Sequence, residues 1–122
     1  MKTTTLQLLP TTTYGTPSGN YDGSSVDWSG VDQQAANYYG GFGDLQTVAF
    51  FLLNFRGIIR IQATLDQYPA SDLNWFNVET FNSANTAITE NFSRNIEGNF
   101  VWIRARVEDF SAGTITKLML SY

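Results

Sequence analysis

From Leu45 onward, apolar residues recur at every second position rather than with the 3.6-residue period of a helix. The stretch "IIRIQATL" places Ile59 and Ile61 on one side of a strand and Arg60 on the other. The stretch "LQTVAFFLL", residues 45–53, is almost continuously apolar, which predicts a strand covered on both faces. A chain with this periodicity is expected to fold into sheets.

Polar segments separate the predicted strands at intervals of about ten residues. We expect the chain to turn at "NFRG", residues 54–57, and at "SAG", residues 111–113. Six or seven short strands without a convincing helix predict a single all-β domain, an antiparallel β-sandwich of jelly-roll-like form. The predicted core consists of inward-facing apolar residues: Val48, Phe50, Leu52, Ile59, Ile61, Leu65, Phe76, Val78, Val101, Ile103, Val107, Leu118 and Leu120.

Residues 10–44 differ in composition from the rest of the chain. They are dense in Gly, Ser, Asn, Asp and Tyr and keep no regular period, which predicts a long irregular excursion before the main strands at 45–122. A loop of this length in a compact domain is usually functional. We therefore interpret 10–44 as an interaction loop, and we expect a chain lacking residues 14–44 to keep a folded sheet.

The charge balance excludes some classes of function. The formal net charge is −4 at pH 7, with seven Lys and Arg against eleven Asp and Glu. Nucleic-acid binders usually need a basic surface, so nucleic acid is not an expected partner. Because cysteine and histidine are absent, the commonest general base and metal ligands are missing, and we expect no enzyme and no cofactor. No apolar run suggests a membrane span or a signal peptide.

The stretch "GNFVWIRARVED" predicts a strand whose outer face alternates aromatic and basic residues: Phe100, Trp102, Arg104 and Arg106. Glu97 and Asn99 occupy positions where an RNA-recognition motif needs a basic and an aromatic residue, so this face does not match that motif. Arginine favours bidentate pairing with carboxylates. Pairing is expected between the arginines 56, 60, 104 and 106 and carboxylates such as Asp66, Glu79 or Glu108.

Aromatic residues that we expect to be exposed in loops are the other candidates for binding. Tyrosine and tryptophan are enriched at protein interfaces, and they also stack on sugar rings. The candidate binding residues, loop aromatics and outer-face residues together, are Tyr14, Tyr21, Trp28, Tyr38, Tyr39, Trp75, Trp102, Arg104 and Arg106. The carboxylates of Asp22, Asp27 and Asp32 are too widely spaced for an EF-hand calcium loop, and we interpret them as turn residues.

The C-terminal part of the chain resembles a known group of proteins. "FRGIIRIQATLDQYPASDLNWFNV" and "NIEGNFVWIRARVEDFSAGTITKLMLSY" are similar to small virion structural proteins of tailed bacteriophages, in particular T4-like phages of marine cyanobacteria. The resemblance covers roughly residues 45–122 and rests on β-sandwich motifs rather than catalytic ones. It implies a head, neck, tail or fibre component present in many copies.

Composition agrees with that expectation. Charged residues make up only 15% of the chain, which suits a subunit in contact with neighbours. We expect an accessory virion subunit, such as a capsid decoration or a neck or tail/fibre adaptor, made in the host cytoplasm. The expected partners are other virion proteins and copies of the chain itself, without nucleic acid or membrane. The alternative is a glycan-binding module for attachment to the host surface.

Overall fold

The computed structural model describes residues 5–36, 45–66 and 74–122. Within these ranges the chain forms eight β-strands and no helix. The strands in chain order are β1 (Thr5–Leu9), β2 (Thr12–Thr13), β3 (Trp28–Ser29), β4 (Gln33–Gln34), β5 (Leu45–Thr64), β6 (Phe76–Asn82), β7 (Ile88–Glu97) and β8 (Trp102–Ser121). All pairings between them are antiparallel, which confirms the predicted all-β fold.

Two strands of 20 residues each, β5 and β8, form the centre of the sheet. They pair along almost their whole length, from Thr47 opposite Ser121 to Thr64 opposite Trp102. On one side, β6 and β7 pair with β5. On the other side, β1, β2, β3 and β4 pair with β8. Each long strand therefore carries different neighbours at its two ends.

Both long strands are interrupted by bulges near their midpoints. The register shifts around residues 53–58 of β5, where Asn54 has a φ of 52°. In β8, Asp109 also has a φ of 52°, and Gly113 has a φ of 88°. The turns predicted at 54–57 and 111–113 are therefore wrong, because these residues bend a continuing strand instead of reversing it.

The bulges fold the single open sheet onto itself. Phe92 of β7 pairs with Phe50, and Phe81 of β6 pairs with Ile59, nine residues further along β5. A straight strand would separate these two positions by about 30 Å. The rings of Phe81 and Phe92 are nevertheless only 4.8 Å apart, between centroids. The sandwich therefore consists of two facing halves of one bent sheet.

Most of the predicted core residues are buried between these halves: Val48, Phe50, Leu52, Ile59, Ile61, Ile103, Val107, Leu118 and Leu120. Val78 and Val101 are half-buried. The prediction is wrong for Leu65 and Phe76, which are 62% and 42% exposed. Leu65 follows the last residue of β5, and Phe76 packs edge-on against Phe100, so neither side chain reaches the core.

Burial alternates along the first part of β5. Gln46 and Val48 are buried, whereas Leu45 and Leu53 are 48% and 49% exposed. The prediction that this strand is covered on both faces is therefore wrong. Leu45 and Leu53, on the outer side of this strand, are exposed to solvent.

The N-terminal excursion contributes to the core. Tyr21 and Trp28 are only 1% and 7% exposed, and their rings pack against each other and against Phe110 at the bulge of β8. The Phe110 N–H donates a hydrogen bond to the Val26 carbonyl at 3.0 Å. The expectation that both aromatic side chains are exposed is wrong, because they cover the apolar bend that the long strands leave open. A chain lacking residues 14–44 is consequently expected to lose its fold.

Candidate interaction face

The outer surface of one half of the sandwich carries most of the arginines. Along β8, Ile103, Ala105 and Val107 are completely buried, so the alternate residues, Trp102, Arg104 and Arg106, lie on the outer side. This arrangement was predicted from the alternation. We call the surface the arginine face and define it by its side chains: Arg60, Gln62, Trp75, Asn77, Trp102, Arg104, Arg106 and Glu108.

One carboxylate holds two arginines in place. Arg60 on β5 lies directly opposite Arg106 on β8. Glu108 accepts a hydrogen bond from Arg60 Nε at 2.5 Å and another from Arg106 Nε at 3.2 Å. The bond from Arg60, strengthened by the charge of both guanidinium groups, lowers the pKa of Glu108 below its usual value. Without the shared carboxylate, two like charges would face each other across the strands.

The outer ends of both guanidinium groups also have partners. Arg60 Nη1 donates to Thr80 Oγ1 on β6, and Arg106 Nη1 donates to Ser29 Oγ on β3, each at 3.2 Å. The two arginines thus link four strands of this half of the sandwich, β3, β5, β6 and β8. Hydrogen bonds within the chain therefore hold both guanidinium groups in place without a binding partner.

Arg104 forms the second part of the face. Its guanidinium carbon lies 4.4 Å from the centre of the Trp75 ring, a cation–π contact. Arg104 Nε donates to Gln62 Oε1 at 2.8 Å, and Gln62 Nε2 donates to Asn77 Oδ1 at 3.0 Å. Arg104 is only 8% exposed, so Trp75 and the neighbouring polar groups cover it. The half-buried Trp75 ring is therefore held in one orientation.

The defined face carries three arginines and one glutamate in a chain whose formal net charge is −4. The face is therefore positively charged relative to the molecule as a whole. Rigid aromatic and guanidinium groups of this kind are typical of interface hot spots. Chemically, the face suits a partner surface that presents carboxylates or other hydrogen-bond acceptors.

The remaining candidates lie elsewhere. Tyr14 is 48% exposed and packs edge-on against Phe110, with the ring centroids 5.5 Å apart. Tyr21 and Trp28 are in the core, and Tyr38 and Tyr39 lie outside the described residues. The structure thus brings together Trp75, Trp102, Arg104 and Arg106 but not the other predicted site residues.

Some members of the face were missed as site residues. Glu108 was one of three possible carboxylate partners, and the structure selects it for both Arg60 and Arg106. Gln62 was not singled out as a candidate. Its position two residues after Arg60 places it on the same side of the strand, which could have identified it as part of the face.

The acidic residues of the excursion serve the backbone. Asp22 accepts hydrogen bonds from the N–H groups of Ser24 and Ser25 and from the Ser25 hydroxyl, which lower its pKa to about 2. Asp27 accepts the N–H of Asp109 at 3.1 Å. The interpretation of Asp22 as a turn residue is confirmed. Among the described residues, no group of three or more acidic side chains is arranged to hold a metal ion.

Comparison of the chain with known proteins identifies no related protein. The chain matches no protein-family model and has no significant match among curated proteins or solved structures. In the part of the chain that the structure describes, no helix is long and apolar enough to cross a membrane.

Proposed function

We propose that this chain is an accessory structural subunit of a phage virion, held in a multi-copy assembly by protein–protein contacts, and that it catalyses no reaction. Two lines of support are independent of each other. The first is the resemblance of residues 45–122 to small virion structural proteins. The second is the arginine face, whose composition and rigidity suit a binding surface.

The observation that carries the proposal is the arrangement of Trp75, Arg104 and Gln62. The stacked Trp75 ring and the hydrogen bond from Arg104 to Gln62 fix a large apolar group beside a cation. Little side-chain freedom is left to lose on binding, which lowers the cost of association. The neighbouring Arg60–Glu108–Arg106 group extends the same rigid surface.

The partner is another virion protein that presents acidic or acceptor groups. Capsid decoration, neck and tail/fibre adaptor are the positions that fit a small subunit of this kind. Each contact needs only modest affinity, because many linked copies raise the effective concentration of neighbouring sites.

The test is incorporation into particles. In a phage that encodes this chain, Trp75→Ala should yield a protein that folds, by circular dichroism, but is depleted from purified particles. Lys117→Ala is the matched control, because Lys117 stacks on Phe51 in the other half of the sandwich. Unchanged incorporation of the Trp75 variant would exclude the arginine face as the docking surface.

A glycan-binding module is the alternative. Trp75 beside the amides of Gln62 and Asn77 is an aromatic surface flanked by hydrogen-bonding groups, which suits a sugar ring. Trp28 cannot take part because it is buried. Saturable quenching of Trp75 fluorescence by host polysaccharide, lost in Trp75→Ala, would favour this alternative over a purely structural role.

A further inference from the structure

Strand β7 lies at an edge of the sheet. Within the described residues it pairs only with β5. Seven of its ten residues are exposed. An edge strand of this length presents a row of backbone donors and acceptors to which another strand can add.

The side chains on one side of β7 follow a pattern that is complementary to itself. This row is Ile88, Glu90, Phe92, Arg94 and Ile96. Read backwards, it is the same row with the acid and the base exchanged. If a second β7 lies antiparallel with Phe92 opposite Phe92, each Glu90 faces an Arg94 and each Ile88 faces an Ile96.

The other side of the strand is equally compatible. Its residues are Thr89, Asn91, Ser93, Asn95 and, at the end of the strand, Glu97; the first four are uncharged and able to form hydrogen bonds. In the same register, Thr89 faces Asn95 and Asn91 faces Ser93. No like charges meet on either side of the strand pair.

Glu90 and Arg94 make the register specific. Displacing the partner strand by one or two residues in either direction separates Glu90 from Arg94 in both symmetry-related positions. In the described part of the chain neither residue forms an ion pair, although Arg94 stacks on Phe92 at 4.8 Å.

Charges on an edge strand usually oppose pairing, because an unmatched partner leaves them without a counter-charge. A second copy of the same strand supplies both counter-charges. The pattern therefore disfavours other strands and favours self-association. We infer that the chain forms a symmetric homodimer in which the two β7 strands pair antiparallel about Phe92.

This inference does not depend on the proposed function. The β7 edge is separate from the arginine face, so the dimer is expected whether or not the chain is a virion protein. Conversely, a monomer that is incorporated into particles through Trp75 would refute the dimer and leave the proposed function standing.

Sedimentation equilibrium over a range of protein concentrations tests the dimer. Wild-type protein should show a monomer–dimer equilibrium. Arg94→Glu and Glu90→Arg should each weaken it by about tenfold or more, because each change places like charges opposite one another twice. Glu97→Arg is the matched control, because it makes the same charge reversal on β7 but Glu97 faces the uncharged Ala87 in this register.

Mixing the two weakened variants gives the sharpest test. The Arg94→Glu variant has Glu at both 90 and 94, and the Glu90→Arg variant has Arg at both. In the antiparallel register each Glu of one variant faces an Arg of the other, so the two variants should form a heterodimer when they are mixed. The double variant E90R/R94E should dimerise like the wild type. A wild-type protein that stays monomeric up to millimolar concentration, or single variants Arg94→Glu and Glu90→Arg that each dimerise alone as well as the wild type, would overturn the inference.

Discussion

Gly113 packs against the backbone of Asn54 so closely that the structure leaves no space for a Cβ atom on the glycine. Asn54 lies in the bulge of β5, and Gly113 lies in the irregular part of β8. This contact brings together the two bends that fold the sheet. The sandwich therefore depends on a glycine at a position that the sequence alone indicates only as part of a turn.

Gly113→Ala should destabilise the protein by about 3 kcal/mol or more, because it adds a backbone clash to the strain of a positive φ. Gly15→Ala is the control, because Gly15 has nearly the same φ, 87°, with open space around it. That change should cost about 1 kcal/mol. Urea denaturation of both variants measures the difference, and equal losses would mean that the contact between the bends is unimportant.

Tyr21 tests whether the excursion belongs to the core. Tyr21→Ala should lower the free energy of unfolding by about 3–5 kcal/mol, because it removes a buried ring between Trp28 and Phe110. Tyr21→Phe should cost about 1 kcal/mol, since it removes only the acceptor of the Gly15 N–H. Thermal and chemical unfolding give these values.

Tyr14→Ala is the control for that series. Tyr14 also packs on Phe110 but is 48% exposed, so its removal should cost about 1 kcal/mol. If Tyr21→Ala costs no more than Tyr14→Ala, residues 10–36 are a separate surface loop.

Gln46 connects three segments through one buried side chain. Its Oε1 accepts the Ala36 N–H at 3.0 Å, and its Nε2 donates to the carbonyls of Ile96 and Gly98 at 3.1 and 3.3 Å. Gln46→Leu should cost about 3 kcal/mol, because it leaves buried backbone groups without partners. The exposed Gln7→Leu should change the free energy of unfolding by less than about 0.5 kcal/mol. Similar losses for both would show that the Gln46 contacts contribute little.

Glu108 should make stability depend on pH on the acid side. Since folding lowers its pKa, the carboxylate stabilises the folded state above the unfolded pKa of about 4.5, and this contribution is lost as the pH falls through the folded pKa. Glu108→Gln should cost about 1 kcal/mol at pH 7, a modest value because the pair is partly exposed. Once the pH has fallen below the folded pKa of Glu108, the stabilities of the variant and the wild type should converge. A constant difference over this range would contradict the assignment, and the exposed Glu97→Gln provides the control.

Alternation along the strands was enough to predict the β fold and most of the core. Period-two patterns at 58–65 and 102–108 identified the buried face and placed Arg104 and Arg106 on the outer one. The signal is strong there because each strand is covered on one side only. Alternation does not predict burial at the ends of strands. Leu65 and Phe76 lie there, and within the ranges that the structure describes the other half of the sandwich leaves both of them exposed.

Other features were not predictable from local pattern. Asn and Gly provide positive φ both in turns that reverse the chain and in bulges that bend it, so the bends near Asn54 and Gly113 were predicted as turns. Tyr and Trp suit cores as well as interfaces. Tyr21 and Trp28 lie in a segment without periodicity, where only tertiary contacts separate the two environments.

Quantitative mass spectrometry of purified particles, from a phage that encodes this chain, tests the proposed function most directly. A structural subunit should be present at a fixed number of copies per particle, constant between preparations and resistant to salt washing. Trp75→Ala should lower that number, whereas Lys117→Ala should leave it unchanged. Absence of the wild-type chain from purified particles would contradict the assignment as a virion protein.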